Sequence, residues 1–441
     1  MKKFAQSLIG LPPGGIKLPT IPSRRQVLWG IAVGSAAALC APHVSGQQPQ
    51  RVIVVGGGFA GASCARALRR QADGLKITLI EPNARFTACP FSNAVVAGLR
   101  DLDGQQFGYD ALKREGIEIV PRRVTAIDPQ ARRVQVDDGS TLDYWRLVVA
   151  PGIDLLFDAI PGYDRAAADI MPHAWKAGDQ TIALRRQLEA MEDGGVVVLS
   201  VPANPYRCPP GPYERASLIA HYLKTRKPRS KLIVLDSKDT FSKQRLFVAA
   251  WQELYPGLLE WVPLSMGGGV TEVDPATKTF LTEFGQHRAD VANVIPPQRA
   301  GEIAAAAGIA DQTGWCPIDP VSFESRLQPD IHVIGDAAIA GAMPKSAFAA
   351  DCQAKVCAGA IGSLFRGEQP VVQKLVNTCY SLVAPDYGIS IAGVYYPSDG
   401  VLAEVKGAGG ASPQDAPLSF RVAEARYAES WYQTITGTVF G

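Results

Sequence analysis

Residues 51–81 constrain the fold of this chain more than any other segment. They begin with an apolar run rich in β-branched residues, which predicts a buried parallel strand over 51–55. Gly56, Gly58 and Gly61 follow, then a stretch at 62–70 that predicts a helix, and a second apolar run that ends in an acid, Glu81. Strand, glycine loop, helix, strand and acid in this order, within about 30 residues, are typical of a dinucleotide-binding unit.

Each part of this segment has a physical role in holding a dinucleotide. Gly56 permits the tight turn after the strand, Gly58 lets the backbone approach a pyrophosphate, and Gly61 lets the helix pack closely on the strand. The pyrophosphate would lie at the helix N-terminus, where free N–H groups face outward. We expect Glu81 to accept hydrogen bonds from a ribose. The alternative is an ordinary glycine turn with Glu81 as a solvated carboxylate.

The length and composition indicate the number of domains and argue against some classes of partner. A chain of 441 residues, 47% of them apolar, can bury a large core and predicts two or three domains. Its 44 basic and 42 acidic side chains nearly cancel, which argues against nucleic acid or an anionic membrane surface as a partner.

The first 46 residues predict an export signal rather than part of the fold. Residues 23–28 resemble a twin-arginine signal, with Arg24 and Arg25 ahead of an uncharged apolar run at 27–40. That run is shorter than the ~20 residues that a membrane span needs. We therefore expect cleavage near Gly46, a periplasmic location and no integral membrane segment in the mature chain. The alternative is an uncleaved membrane anchor.

Export changes how the cysteines are interpreted. Those after residue 46 are Cys64, Cys89, Cys208, Cys316, Cys352, Cys357 and Cys379. Disulfides persist in an oxidising periplasm, and an odd count leaves at least one thiol free or otherwise modified. None of the spacings is a zinc pattern, so no metal site is predicted, and the sequence has no Cys-x-x-Cys-His motif for covalent haem.

A second α/β unit is predicted after residue 194. An apolar strand at 194–200 leads into a proline-rich segment at 201–214, where dinucleotide-binding relatives would have a second glycine loop. Prolines at 202, 205, 209, 210 and 212 lack the backbone N–H donors that a nicotinamide dinucleotide would need, which argues against that cofactor. A helix at 216–224 and a strand at 231–236 complete the unit.

Two further strands carry specific signals. One at 142–150 ends in Ala-Pro-Gly, which resembles the second glycine motif of flavoproteins with two dinucleotide-binding domains. The other, at 331–337, ends in Gly335 and Asp336, and in FAD enzymes of this architecture the aspartate binds the ribityl or pyrophosphate region. The last seventy residues are rich in aromatics and predict a small α+β domain, either at a subunit interface or with a plain packing role.

From about residue 51 to 441 the chain resembles the flavoprotein subunit of flavocytochrome c sulfide dehydrogenase, a family related to sulfide:quinone oxidoreductases. The motifs that carry this resemblance are 56–81, Cys89 with Ser92 and Asn93, 172–178, 208–215, 295–301, 314–317, 335–337 and 377–381. The resemblance implies an α/β fold with an FAD-binding Rossmann-like domain and a smaller Rossmann-like domain, as in glutathione reductase, followed by a C-terminal α+β interface domain. The boundaries would be 47–155 and 298–370 for the FAD domain, 156–297 for the second domain and 371–441 for the last.

The resemblance also implies which residues hold the cofactor. Cys89 matches the cysteine that attaches FAD through a thioether, the alternative being a thiol that contacts noncovalent FAD. Asn93 belongs to the same motif. Lys345 would favour the anionic reduced flavin, the alternative being a surface lysine.

The reaction implied by the resemblance uses a redox disulfide. Cys208 and Cys316 match that pair, although a purely structural disulfide is the alternative. Glu214 is the candidate for handling protons beside it, the alternative being a salt bridge with Arg215 or another helix charge. Hydrosulfide would attack the disulfide, and its electrons would pass through the flavin to a separate c-type cytochrome subunit. Core thiols are the default for the other cysteines, Cys379 among them.

Three other functions remain open. A sulfide:quinone oxidoreductase is disfavoured because the tail shows no basic-apolar amphipathic pair of helices for a membrane. An NAD(P)H-dependent reductase is disfavoured by the proline-rich segment. A non-catalytic flavin carrier is disfavoured by the presence of both Cys208 and Cys316.

Overall fold

The computed structural model describes residues 50–441, so the predicted export signal lies outside the described residues. The helices, numbered along the chain, are α1 (Phe59–Gln71), α2 (Ser92–Val96), α3 (Asp110–Arg114), α4 (Ala167–Ile170), α5 (Asp179–Ala190), α6 (Gly211–Arg226), α7 (Gln244–Leu254), α8 (Ile303–Ala306), α9 (Ala347–Phe365) and α10 (Leu418–Phe440).

The strands, numbered in the same way, are β1 (Arg51–Val55), β2 (Lys76–Ile80), β3 (Phe86–Thr87), β4 (Gln106–Phe107), β5 (Glu118–Val120), β6 (Val124–Asp128), β7 (Arg133–Val136), β8 (Thr141–Asp143), β9 (Arg146–Val149), β10 (Ile153–Leu155), β11 (Val196–Val201), β12 (Lys231–Asp236), β13 (Leu259–Val262), β14 (Val270–Asp274), β15 (Thr279–Thr282), β16 (Gly285–Arg288), β17 (Val291–Val294), β18 (Gln298–Ala300), β19 (Cys316–Pro317), β20 (Ile331–Val333), β21 (Ala338–Ile339), β22 (Leu375–Ala384), β23 (Tyr387–Ser398), β24 (Val401–Glu404) and β25 (Gly410–Ala411).

The first parallel sheet has the strand order β20-β9-β1-β2-β5. Its strands come from two distant parts of the chain, because β1, β2, β5 and β9 lie within residues 51–149 whereas β20 begins at Ile331. Helices α1 and α9 pack against each other beside this sheet. Their contact is close because both are rich in alanine and glycine. The predicted strand, glycine loop, helix and strand are confirmed, and α1 is longer than predicted.

The single strand predicted at 142–150 is wrong. The segment forms β8, which pairs antiparallel with β7, and then β9, which enters the first parallel sheet. Between them the amide of Tyr144 donates to the carbonyl of Arg132, and the amide of Trp145 donates to that of Arg51. The chain therefore passes from one sheet to the other at these two residues, where the sequence has no glycine or proline to mark the change.

The second parallel sheet has the order β13-β12-β11-β17. Its helix α6 begins at Gly211, five residues before the predicted start at Ala216. Pro212 lies in the first turn of α6, where a missing N–H removes no intrahelical bond. The proline-rich segment thus ends as the first turn of α6. The N-terminus of this helix faces the domain that contains the first parallel sheet.

The C-terminal segment is α+β, as predicted. Strands β22 and β23 form a long antiparallel hairpin against which α10 packs. The end of α10 reaches the first domain, where the ring of Phe440 lies 5.6 Å from that of Phe59 and 5.4 Å from that of Phe86. The predicted fold class, with two parallel sheets and an α+β tail, is confirmed. Within residues 50–441, no helix is both long enough and apolar enough to cross a membrane.

Candidate active site

One cavity brings most of the predicted site residues together. It is lined by the glycine loop before α1, the turn at Gly335 and Asp336, the start of α6, strand β22 and the middle of α10. Its empty volume is about 1310 Å³ when the open mouth is included. Its walls are mostly apolar with a few converging polar groups, as is typical of cofactor sites.

The glycine loop fits a pyrophosphate. Gly56 has φ +98°, and a Cβ on it would lie 2.3 Å from the carbonyl oxygen of Ala150. A Cβ on Gly61 would lie 1.8 Å from the carbonyl oxygen of Gly56, so only glycine permits this approach of helix and strand. Gly58 differs, because its Cβ would point into the cavity and meet only the ring of Phe86, at 3.3 Å. The first turn of α1 carries no acidic residue that would repel an anion.

Glu81 follows β2 and faces the same loop. Its Oε2 accepts a hydrogen bond from the amide of Gly57 at 2.8 Å, and its Oε1 accepts one from the amide of Asn83 at 2.9 Å. These bonds hold the carboxylate at the end of the strand, where the sequence predicted a ribose contact. That contact stays a prediction.

Asp336 lies on the cavity wall, but the side chain of Lys345 does not. Asp336 Oδ2 lies 3.9 Å from Arg207 Nη1. Burial raises the pKa of Asp336, and the cations of Arg207 and Lys345 oppose the rise. Lys345 Nζ donates to the carbonyls of Asp336 and Ala338, both at 2.8 Å. The ammonium lies 4.0 Å from the centre of the Trp315 ring. The lysine therefore supports the Gly-Asp turn from behind, and burial lowers its pKa to about 8.

Cys89 lies on the loop before α2, partly exposed on the cavity wall. Its Sγ lies 3.9 Å from the carbonyl oxygen of Trp175, which also accepts a hydrogen bond from Arg207. The indole Nε1 of Trp175 is buried and has no hydrogen-bond partner within the described residues, although this side chain also lines the cavity. An unpaired buried donor at a cavity wall fits an acceptor on a bound ligand. The cavity and its donors thus fit FAD, with Cys89 at one side.

Cys208 lies three residues before the start of α6. It adopts φ +56°, which is uncommon for a residue other than glycine, and its carbonyl accepts from the amide of Gly211 at 2.8 Å. A Cβ on Gly211 would lie 3.0 Å from Cys208 Sγ, so this glycine makes room for the sulfur. The positive end of α6 favours a thiolate there. Burial nevertheless raises the pKa of Cys208, and the neighbouring Cys379 and Glu214 add to the rise.

Cys379, rather than Cys316, lines the same cavity as Cys208 and adds to the rise in its pKa. Cys379 is on β22, lines the cavity, and accepts a hydrogen bond on Sγ from Asn377 Nδ2 at 3.2 Å. Cys316 is fully buried on β19, outside the residues that line the cavity. Burial raises the pKa of Cys316 to about 12, with Lys345 opposing the rise. Among the seven described cysteines no disulfide is formed, so the predicted Cys208–Cys316 bond is absent from this structure.

Cys379 also departs from the default of a core thiol. It is mostly buried, yet it stands on the wall of the cavity with Cys89 and Cys208. The sequence carried a signal for this that the prediction did not use. Asn377, Cys379 and Ser381 alternate along β22 on its buried face, and three polar residues on a buried face indicate a site rather than a core.

Glu214 lies in the first turn of α6, on the cavity wall. Its Oε2 accepts from Asn93 Nδ2 at 2.8 Å, and its Oε1 accepts from the amide of Leu382 at 2.9 Å. Burial raises the pKa of Glu214, against the effect of these two hydrogen bonds. Among residues 50–441, Arg215 forms no ion pair with Glu214 within 4.0 Å. The structure thus places a carboxyl group with a raised pKa beside Cys208, as the proton-handling role requires.

Asn93 and Arg215 fix this part of the wall. Arg215 is buried and donates to Asn93 Oδ1 at 3.0 Å, to Asn293 Oδ1 at 3.0 Å and to the carbonyl of His173 at 2.9 Å. Asn93 is thereby oriented with its amide group towards Glu214. The sequence predicted Asn93 as a cofactor contact, and the structure shows it on the cavity wall within this network.

Comparisons with known proteins agree with this geometry. Residues 181–296 match the family model for the central part of the sulfide dehydrogenase [flavocytochrome c] flavoprotein chain, and 372–440 match the flavin-binding model of flavocytochrome c sulphide dehydrogenase. The flavoprotein chain of this enzyme from Chlorobaculum thiosulfatiphilum is 56% identical over 46 residues, which are 10% of this chain and 96% of that sequence. The chain belongs to this flavoprotein family. Membership supports FAD as its cofactor.

More distant relatives share the fold. Residues 50–193 match the pyridine nucleotide-disulphide oxidoreductase model. The mitochondrial sulfide:quinone oxidoreductase of Mus musculus is 22% identical over 307 residues, and the match spans 65% of this chain and 65% of that protein's length. The solved sulfide:quinone oxidoreductase of Aquifex aeolicus superposes with a TM-score of 0.70 at 17% identity, covering 88% of this chain and 92% of that one.

Proposed function

We propose that this chain is the FAD-dependent subunit of a periplasmic sulfide dehydrogenase, which oxidises sulfide to zero-valent sulfur or polysulfide and passes the electrons to a c-type cytochrome. One observation carries the proposal. Two cysteines, Cys208 and Cys379, line the same cavity as the glycine loop of the dinucleotide-binding unit, and a buried carboxyl, Glu214, stands beside them. The names of the family and of its relatives support sulfide as the substrate.

The residues that would hold FAD are the glycine loop, Glu81 and Asp336, with Cys89 as the attachment point. The glycine loop would receive the pyrophosphate at the start of α1. FAD, when bound, supplies a two-electron acceptor that can release its electrons singly. A thioether to Cys89 would hold the cofactor permanently, and the partly exposed position of this residue on the cavity wall supports the proposal.

The protein's own residues would carry the sulfur chemistry. We move the proposed redox pair from Cys208 and Cys316 to Cys208 and Cys379. Hydrosulfide attacks one sulfur of that disulfide; a new sulfur–sulfur bond forms, the bond between the cysteines breaks, and the other cysteine leaves as a thiolate. The proton of the hydrosulfide would pass to the carboxylate of Glu214, which is a stronger base than an exposed glutamate because burial raises its pKa. The persulfide and the released thiolate then hold the two electrons, for which bound FAD would be the acceptor.

The second domain argues against a nicotinamide as the electron donor. Asp236 ends β12, the position at which dinucleotide-binding units carry the ribose-binding acid. Here its buried carboxylate accepts from Tyr213 at 2.6 Å, from Trp261 at 3.0 Å and from Lys238 at 2.6 Å. The carboxylate thus already accepts hydrogen bonds from the protein's own side chains. In addition, Pro209, Pro210 and Pro212 lack the backbone N–H donors that a nicotinamide dinucleotide would need at the start of α6.

An anaerobic titration of the purified yellow protein tests the proposal. We expect about one equivalent of sulfide to bleach the flavin absorbance, NADH to leave it unchanged, and cytochrome c to restore it faster than a soluble quinone does. Bleaching by NADH alone would replace the proposal with a reductase. Faster reoxidation by quinone would establish the second candidate, a sulfide:quinone oxidoreductase, which the mouse and Aquifex relatives favour. No response to either donor would indicate an electron carrier.

A further inference from the structure

Lys243 occupies a place that its own local structure disfavours. It is the residue before α7 and adopts φ +62°, which is uncommon for residues other than glycine. It also places a cation at the positive end of a helix, where the helix dipole is unfavourable. Only 8% of its surface is exposed. A residue that violates several local preferences at once is expected at a functional site.

The ammonium group of Lys243 reaches the cysteine strand. Nζ donates to the carbonyl of Cys379 at 2.9 Å, to Ser381 Oγ at 2.7 Å and to the carbonyl of Ile389 at 3.5 Å. All three acceptors are neutral. Among residues 50–441, no carboxylate lies within 4.0 Å of Nζ, so this buried cation lacks the close anion that buried charges ordinarily have.

The groups that act on Lys243 are those of the proposed reaction. The anionic forms of Cys379 and Cys208 stabilise its charge, as do Glu214 on α6 and Glu424 on α10. Burial lowers the pKa of Lys243 to about 8, and these four groups oppose the decrease. Glu424 is itself bonded to Ser390 and Ser412, which leaves the sulfurs and Glu214 as the variable charges in reach of the lysine.

We propose that Lys243 is a positioning residue for the sulfur chemistry, whose buried charge holds the negative charge on the Cys208 and Cys379 sulfurs. The inference rests on the proposed function. Hydrosulfide brings one negative charge into the cavity, and after it attacks the disulfide that charge resides on the released cysteine. The ammonium group is already in place before the charge arrives, so no reorganisation is needed at that moment. Through its bonds to β22 it also fixes the strand that carries Cys379.

Thiol reactivity tests this inference without sulfide. The holoprotein is reduced with dithiothreitol, freed of it, and treated with iodoacetamide over a range of pH, with Cys208 and Cys379 quantified separately by peptide mass spectrometry. For Lys243→Met we expect alkylation of both at about pH 7 to slow about tenfold, because the cation no longer stabilises negative charge on the two sulfurs. Lys243→Arg should restore the wild-type profile.

Lys227 offers a matched control. It is also 8% exposed, and its Nζ likewise donates to main-chain carbonyls, those of Glu189 and Met191. Lys227→Met should change thermal stability without shifting the alkylation profile. If Lys243→Met does not fold, Lys243→Gln, which keeps a donor towards Cys379 and removes the charge, must show the same shift. An unchanged profile in a folded Lys243 variant overturns the inference. Failure of sulfide to bleach the wild-type flavin would instead overturn the proposed function and leave the alkylation result standing.

Discussion

Acidification should destabilise this protein through His173, which lies behind the cavity wall. His173 is buried, and its Nδ1 accepts a hydrogen bond from the amide of Trp175 at 2.9 Å, so the ring is neutral. Burial lowers its pKa from 6.5 to about 3, and the cation of Arg215 adds to the decrease. The unfolded chain therefore takes up the proton first. The stability is fully present above about pH 6.5 and is lost as the pH falls towards 3.

The size of this effect follows from the two pKa values. Protonation of His173 in the unfolded chain should remove about 2 kcal/mol of stability between about pH 7 and pH 5, and about 4 kcal/mol by pH 3. Domains of this kind are stable by only about 5–15 kcal/mol. For a unit of this length, a loss of 2 kcal/mol corresponds to a decrease of about 2–3 °C in the midpoint of thermal unfolding.

The assay compares unfolding midpoints of the wild type and of His173→Asn at about pH 7 and pH 5. Asparagine keeps an acceptor near the position of Nδ1 but does not titrate in this range. We expect the wild-type midpoint to fall by about 2–3 °C more than that of the variant. His287→Asn, on strand β16, is the matched control and should behave as the wild type. Equal decreases in wild type and His173→Asn would refute the reasoning.

Four other substitutions test the cofactor site and the proton-handling group. Gly58→Ala should fold but lose most of its flavin absorbance, because the new Cβ would stand in the cavity. Gly61→Ala should not fold, since its Cβ would lie 1.8 Å from a carbonyl oxygen. A Gly58→Ala protein with full flavin content would contradict the placement of the pyrophosphate. Cys89→Ser should release its flavin when denatured in acid while the wild type retains it, and release from the wild type would exclude a covalent bond. Glu214→Gln should keep its flavin but be reduced by sulfide roughly 10²-fold more slowly. In the wild type, the rate of flavin reduction by sulfide should fall at low pH as Glu214 is protonated, and this fall should begin above the usual glutamate range because burial raises the pKa of Glu214. The rate of Glu214→Gln should not show this fall. A variant with the wild-type pH profile would remove Glu214 from the mechanism.

The parts of the fold that depend on local sequence were predictable. The glycine loop at residues 56–61 was predictable because two of its positions require glycine. A Cβ on Gly56 would meet the backbone of Ala150, and a Cβ on Gly61 would meet that of Gly56. Apolar runs flanked by turn residues also identified β1, β2, β11 and β12. The break between β8 and β9 was not predictable, since no glycine or proline lies within residues 141–149 to mark it, and only the pairing with different sheets distinguishes the two strands.

The composition of the candidate site depended on long-range contacts. Cys208 and Cys379 are brought together by the packing of the start of α6 against β22, and no spacing in the sequence encodes that contact. Lys345 was placed at the flavin by resemblance, yet its Nζ is bonded to two carbonyls of the Gly-Asp turn. Lys243 was not predicted at all, because a lysine ahead of a helix ordinarily lies at the surface, and its burial arises from the tail hairpin that covers it.

The central claim is that Cys208 and Cys379 form the pair that reacts with sulfide, and serine variants of the cysteines test it most directly. Cys208→Ser, Cys379→Ser and Cys316→Ser proteins are titrated anaerobically with sulfide while the flavin absorbance is followed, and dithionite is added last to show that each flavin can be reduced. We expect about one equivalent of sulfide to bleach the flavin of Cys316→Ser, as it does that of the wild type, and neither Cys208→Ser nor Cys379→Ser to respond. Bleaching of Cys379→Ser together with loss of the response in Cys316→Ser would contradict the central claim.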